Sequence, residues 1–326
     1  MQNIKNLTLK NNKKKIIFTA GPASLIDSNL SNIKPCFGRG DKEYLKTEIK
    51  VLNKIRKIAG GFNDIARFQG SGSLAIEIMM ANYLYGKVLI IDTGYYAKRL
   101  HLISNQLKKL FGYIKGIDII NWRKINTLQK KYDWIVACPT ETSCGIKIPI
   151  KTLSKVSKKC KSKLMLDATG SIGLENDHEL ADVISFSSCK GLFGLTGAGF
   201  ICFNRKFENH IPSFYLNLQN HIDKKMTGPY QILYSLEKIL EKHSDIKYSV
   251  IVNKHKFMKK MKNFLTLPKE NQPNLCTHVD KIIKTKSKKV VLYSPRNDIG
   301  GSVVCHIGEA HLGRKAKGKI IDNLKI

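Results

Sequence analysis

Acidic residues are scarce in this 326-residue chain: 25 aspartates and glutamates stand against 56 lysines and arginines, a formal charge of +31. A field of that sign favours small anionic ligands over long range. The lysines are spread over the whole chain rather than gathered on one motif, so the charge reads as composition more than as a nucleic-acid surface. No RRM, KH or zinc-finger signature supports a nucleic-acid partner. Paired cysteines are missing too. The eight cysteines at 36, 138, 144, 160, 189, 202, 276 and 305 form no CxxC pair and no regular framework. That excludes a disulfide scaffold and a structural zinc site, and leads us to expect no bound metal and a reducing compartment. Long apolar runs are also lacking: none approaches the roughly 20 residues a membrane span needs. The opening "MQNIKNLTLKNNKKK" is polar and basic, without the apolar region of a signal peptide. The expectation is a soluble, cytoplasmic protein with no membrane partner. No internal repeat and no low-complexity linker breaks the chain.

What is there is an alternation. "KVLIIDTG", "DWIVACP", "KLMLDATG" and "ADVISFSS" read as strands, and "YAKRLHLISNQLKKL" and "IKTLSKVSKKC" as the amphipathic helices between them. "GAGFICFN" follows so closely that it turns back antiparallel. Earlier, "DKEYLKTEIKVLNKIRKIAG" has apolar residues at 45, 49, 52, 55 and 58, a helical spacing, and stops at a double glycine. Short apolar runs alternating with amphipathic stretches predict an α/β fold with a mostly parallel central sheet flanked by helices. Past about residue 205 the pattern weakens to a helical "GPYQILYSLEKILEKH", a basic helix in "NKHKFMKKMKNFL" and a short strand in "KKVVLYSP". We therefore expect a basic leader over 1–15, a large α/β domain over 16–240, and an abbreviated α+β small domain over 241–326.

Ligands in such folds gather at the carboxyl ends of the strands, and four of these ends hold unusual residues. Gly70-Ser71-Gly72-Ser73 precedes a helix, offering free N–H groups and hydroxyls to a phosphate; a plain serine-capped turn reads the same way. Tyr95 and Tyr96 follow a strand and a glycine, where an aromatic ring can stack on a flat ligand or simply pack. Asp167 ends an apolar strand, and a carboxylate there needs a donor or a positive partner; capping the next turn would also serve. Lys190, the only charge in "SSCKGLFGLTGAGF", ends the next strand among small and apolar residues. A lysine so placed can act as a nucleophile and form an imine, or its stem can lie along apolar surface with the head in water. Phosphate cradle, stacking ring, acid and imine-forming lysine, in that order, are the parts of a pyridoxal 5′-phosphate (PLP) site.

These segments, with "FTAGPA", "PTETSCGI", "LDATGSIG" and "PSFYLNL", resemble the class V aminotransferases of the fold-type I PLP enzymes over roughly residues 16 to 235. Within that family the likeness is greatest to 2-aminoethylphosphonate–pyruvate aminotransferases, then to alanine–glyoxylate and serine–pyruvate enzymes. The resemblance implies that Lys190 bonds to PLP and shuttles the substrate proton. It implies that Asp167 pairs with the ring nitrogen, and that Ser71, Gly72 and Ser73 hold the phosphate. By the same resemblance Tyr96 stacks on the ring and Thr142 meets its phenolic edge. Thr227 would reach the phosphate of a neighbouring subunit, which implies a homodimer with small-molecule amine and 2-oxo acid substrates. Three departures stand out. His306, in "VVCHIGEAHLG", occupies the place of the family's carboxylate-clamping arginine, with Arg296 or Arg39 as stand-ins. Few residues separate "VVLYSP" from "VCHIG", and Cys189 precedes the lysine where relatives carry Asn or Gln. A desulfurase-like lyase of the same fold, and a truncated PLP-fold protein without catalysis, are the alternative readings.

Overall fold

In the computed structural model, the described residues are 16–21, 27–36, 38–296, 298–310 and 324–326, with single positions 6, 10 and 321. The basic leader expected over 1–15 lies outside them, apart from positions 6 and 10.

Seven strands make the central sheet: β2 (Asp64–Gln69), β3 (Gly86–Asp92), β4 (Ile114–Asn121), β5 (Trp134–Ala137), β8 (Lys163–Asp167), β9 (Val183–Ser187) and β10 (Ala198–Phe203). Two short strands, β6 (Thr140–Glu141) and β7 (Ile146–Lys147), form a small hairpin beside it. The sheet order is β2-β10-β9-β8-β5-β3-β4. β10 runs antiparallel to both β2 and β9, and the remaining pairs are parallel. The tight return from β9 to β10 is the one expected from the sequence. β5, β9 and β10 are buried along their whole length. That is why they read as apolar runs, broken only by the buried Ser185 and Ser187 of β9: a strand covered on both faces has no solvent side to alternate. Each fully buried Val, Ile or Leu contributes roughly 1.5–3 kcal/mol of transfer free energy. One apolar cluster fills each face, one around Leu89, Ile135 and Leu164, the other around Val88, Trp134 and Met165.

The helices α2 (Lys42–Ile58), α3 (Gly72–Tyr83), α4 (Tyr95–Phe111) and α5 (Ile150–Lys159) cover the sheet, following a four-residue turn of helix, α1 (Asp27–Leu30). The buried face of α2 differs from the expected one. Tyr44, Thr47, Glu48, Val51 and Ile55 are buried, while Ile49 is 58% exposed. Glu48 is held inside by Arg67 at 3.3 Å and Lys224 at 3.2 Å, a pairing that apolar periodicity cannot anticipate. The edge strand β4 also escaped the pattern, because its burial is irregular and Gly116 interrupts it.

The C-terminal region has its own small sheets. β11 (Cys276–Val279) pairs antiparallel with β14 (Ser302–Cys305), and β12 (Lys284–Thr285) with β15 (Leu324–Lys325). At the start of the expected large domain, β1 (Ile16–Phe18) pairs parallel with β13 (Val290–Leu292). Phe18 belongs to the same apolar cluster as Phe257, Val279 and Val304, so these first strand residues are packed with the C-terminal segment. A short helix, α6 (Leu218–Ile222), precedes two longer ones. The first, α7 (Tyr230–Glu241), packs on α2. The second, α8 (His243–Lys260), packs with β11 and the four-residue helix α9 (Ile307–Ala310). The basic helix expected near 253–265 is the second half of α8, and it ends at Lys260.

Candidate active site

The carboxyl ends of β2, β3, β5, β8 and β9 open on a cavity of about 160 Å³. Its lining includes Gly72, Ser73, Tyr96, Thr142, Asp167 and Lys190, six of the positions singled out from the sequence. It also includes Arg99, Cys138, Thr140 and Thr169.

Lys190 leaves the end of β9 half-buried. Its Nζ donates to Thr142 Oγ1 at 3.5 Å and stands 5.2 Å from the centre of the Tyr96 ring. The glycine after it is obligatory, because a Cβ at Gly191 would collide with the Ile172 carbonyl. From the other side Gly21 packs on the lysine stem, where a Cβ would lie 3.0 Å from Lys190 Cγ. Asp167 is 1% exposed. One oxygen accepts the Thr169 N–H at 3.1 Å, capping the next turn, and the other accepts Arg99 Nη2 at 3.1 Å. The capping role and the paired role weighed from the sequence are therefore both present.

Arg99 is the residue that sequence reasoning missed. It lies one helical turn after Tyr96 on α4, so both project to the same side. Its guanidinium sits 4.8 Å from the Tyr96 ring centre, and its Nη1 donates to Ser73 Oγ at 2.9 Å. It therefore joins the serine turn to the acid. Its spacing from Tyr96 was the available signal, hidden among so many basic residues.

The serine turn opens α3. The cap residue Ser71 makes no side-chain capping bond, and no acidic residue occupies the first turn. First-turn N–H groups lacking such partners form an anion site. Gly72 is needed for access: a Cβ there would lie 3.2 Å from Thr169 Oγ1 and 3.3 Å from Ser187 Cβ. Thr169 Oγ1 is buried with no partner among the described residues. An orphaned hydroxyl beside a glycine cradle suits a phosphate oxygen, and Asp167 and Lys190 in the same cavity suit the ring nitrogen and aldehyde of PLP. The residues present fit that cofactor. Ser71 itself is exposed and is not among the lining residues.

Four further expected positions lie outside the lining. His306, expected as a substrate contact, is the first. It is fully buried, its Nε2 shares a hydrogen with Thr277 Oγ1 at 2.9 Å, and its ring packs 5.6 Å from Phe257. Burial, with Lys254 and His255 adding repulsion, holds its pKa down to about 3, so it is a neutral core residue. Alignment gave its place in the chain but not the direction of its side chain. Arg39 is exposed, donates to the Lys225 carbonyl at 3.2 Å, and stands outside the cavity lining. Thr227 is exposed nearby and also outside it. Arg296 is exposed and also outside the lining. Its Nη1 donates to Tyr95 Oη at 3.3 Å, and it lies 5.1 Å from the Tyr95 ring centre, which is 5.3 Å from that of Tyr96.

Residues 117–226 match the profile of the aminotransferase class-V family. The chain is 26% identical over 198 residues to a 2-aminoethylphosphonate–pyruvate transaminase of Pseudomonas aeruginosa, covering 57% of this chain and 53% of that protein. The chain thus spans about half the length of the curated relatives it matches. Among solved structures it superposes on an alanine–glyoxylate aminotransferase from Nostoc sp. with a TM-score of 0.78 at 17% identity, over 95% of this chain and 93% of the other. A PLP-bound phosphoserine aminotransferase from Trichomonas vaginalis gives a TM-score of 0.71 at 15% identity, over 94% and 99%. The chain shares the fold of these aminotransferases, and the segment that matches the class-V profile contains Asp167 and Lys190.

Proposed function

We propose that this chain is a PLP-dependent aminotransferase that moves an amino group from a small anionic amine, 2-aminoethylphosphonate first among them, to a 2-oxo acid such as pyruvate. The observation that carries the reading is the convergence of Lys190, Asp167 and the Gly72–Ser73 cradle on one cavity. The name of the Pseudomonas relative supports the choice of donor and acceptor.

When bound, the cofactor supplies an electron-withdrawing ring on an aldehyde carbon. The residues do the rest. Gly72 N–H, Ser73 and Thr169 would hold the phosphate, and Tyr96 would pack against the ring. Asp167 would hold a proton at the ring nitrogen, with Arg99 orienting the carboxylate. Lys190 Nζ would take the proton from the amine-bearing carbon of the donor and, in the return half of the cycle, deliver one to the former carbonyl carbon of the acceptor, a positioned acid–base role that contributes about 10²–10⁴-fold. Arg296 would serve as the cation for the donor's phosphonate or carboxylate, in place of the buried His306. Thr227 and Arg39, exposed on a surface apart from this cavity, are assigned to a second copy in a homodimer. All eight cysteines are free thiols, which fits a cytoplasmic protein. No helix among the described residues is long and apolar enough to cross a membrane.

The test is alanine formation by the purified protein with PLP, pyruvate and a panel of amines. The reading predicts that 2-aminoethylphosphonate is turned over and that Arg296→Ala raises its KM about tenfold, as loss of a charge-assisted contact would. Absence of alanine with every donor would sink it.

A further inference from the structure

Helix α4 begins without a cap of its own. Its N-cap is Gly94, which has no side chain, and no acidic residue lies in its first turn. The N–H groups of the second and third helical residues normally bond to the cap side chain. Here Tyr96 N and Ala97 N donate instead to Glu141 Oε2, at 2.9 and 3.3 Å, from a position 45 residues further along the chain. The second oxygen, Oε1, accepts from Ser143 N at 3.1 Å and from Ser143 Oγ. Glu141 is 0% exposed. It is admitted by Gly94, where a Cβ would lie 3.1 Å from Glu141 Cγ.

This carboxylate therefore joins two walls of the cavity. On one side is the first turn of α4, which carries Tyr96 and, one turn later, Arg99. On the other is the turn that carries Thr142, the residue next to Glu141. Tyr96 and Thr142 are the two groups that flank Lys190 Nζ. Burial pushes the pKa of Glu141 up, and the four hydrogen bonds, which fill the acceptor sites of its two oxygens, act against that shift.

The geometry points to Glu141 as a positioning residue: a remote helix cap that fixes the Tyr96 ring and the Thr142 hydroxyl relative to Lys190. This inference rests on the proposed PLP site, and it concerns a residue that touches neither cofactor nor substrate. Glutamine cannot replace it. Whichever way the amide is turned, its NH₂ meets N–H donors, either those of Tyr96 and Ala97 or that of Ser143.

The test is a double-mutant cycle on PLP affinity, read by titrating the cofactor's visible absorption with no amine present. Glu141→Gln is expected to weaken PLP binding about tenfold in the wild-type background, and less than about threefold when Tyr96 is already leucine, because coupled residues are not additive. Equal losses in both backgrounds would show a general structural effect and overturn the inference. Ser143→Ala, which removes one donor and keeps the carboxylate, covers the case in which Glu141→Gln does not fold. It should show the same non-additivity with Tyr96→Leu at a smaller amplitude, and additivity would again be decisive against the inference. Failure of wild type to bind PLP at all would instead strike the proposed function, so the two failures are separable.

Discussion

Asp167 and His306 are buried to the same degree, 1% and 0% exposed, yet they stand in opposite relations to the site. Asp167 ends a parallel strand and faces the cavity, with Arg99 and the Thr169 N–H as partners. His306 follows an antiparallel strand, its backbone N–H donates to Leu275 O at 2.8 Å, and its imidazole meets a threonine hydroxyl inside the C-terminal core. Burial of a polar side chain does not by itself mark a site. What separates the two is a cavity beside the group and charged partners aimed into it.

Substitutions at the strand ends should break this contrast most visibly. Lys190→Ala is expected to lower transamination by about 10³-fold or more, since the residue would both bond to the cofactor and move the proton; steady-state alanine production measures it. Asp167→Asn keeps the shape and removes the charge, and should lower kcat by roughly 10²–10³-fold, the scale of losing one preorganised electrostatic partner. An unchanged kcat would place the acid outside the chemistry. Arg99→Leu leaves Asp167 buried beside a vacated partner, and should reduce stability by about 1–3 kcal/mol in urea unfolding while also weakening PLP binding. At the other end of the comparison, His306→Ala should reduce stability by about 2 kcal/mol through a cavity and an unpaired Thr277 but leave the KM for the amine within about twofold. A large KM effect would return His306 to the substrate site.

The last expected effect is one of pH. Burial lowers the pKa of His178 to about 4, with Lys247 contributing, and that of His306 to about 3. Both lie below the ordinary histidine value of 6.5, so between those limits the unfolded chain binds more protons. Stability from the two neutral imidazoles is then complete above about pH 6.5 and declines as pH falls toward 4 and 3. Thermal melts across pH 7 to 4 check it, and replacing His178 should flatten part of the slope.

The contrast also explains what the sequence could reveal. Strand β8 with Asp167 and strand β9 with Lys190 were legible because an isolated charge in an apolar run leaves few interpretations. The Gly72–Ser73 turn was legible because glycine before a helix marks close approach. Arg99 was not, since one more cation on an amphipathic helix looks like solvent-facing charge until Ser73 and Asp167 are brought to it from other strands. Glu141 lay within the quoted "PTETSCGI", but its role depends on the uncapped start of α4, a tertiary fact. The β1–β13 pairing joins residues more than 270 positions apart, and no local pattern encodes it. Ile49 and Glu48 show the same limit on α2, where a buried ion pair displaced the apolar face.

The central claim is that Lys190 is the residue that bonds to the cofactor. Borohydride reduction of the protein with PLP, followed by peptide mass mapping, tests it most directly. The account predicts a phosphopyridoxyl group on the peptide containing Lys190, absent from Lys190→Ala. A modification spread over surface lysines, unchanged in Lys190→Ala, would contradict it.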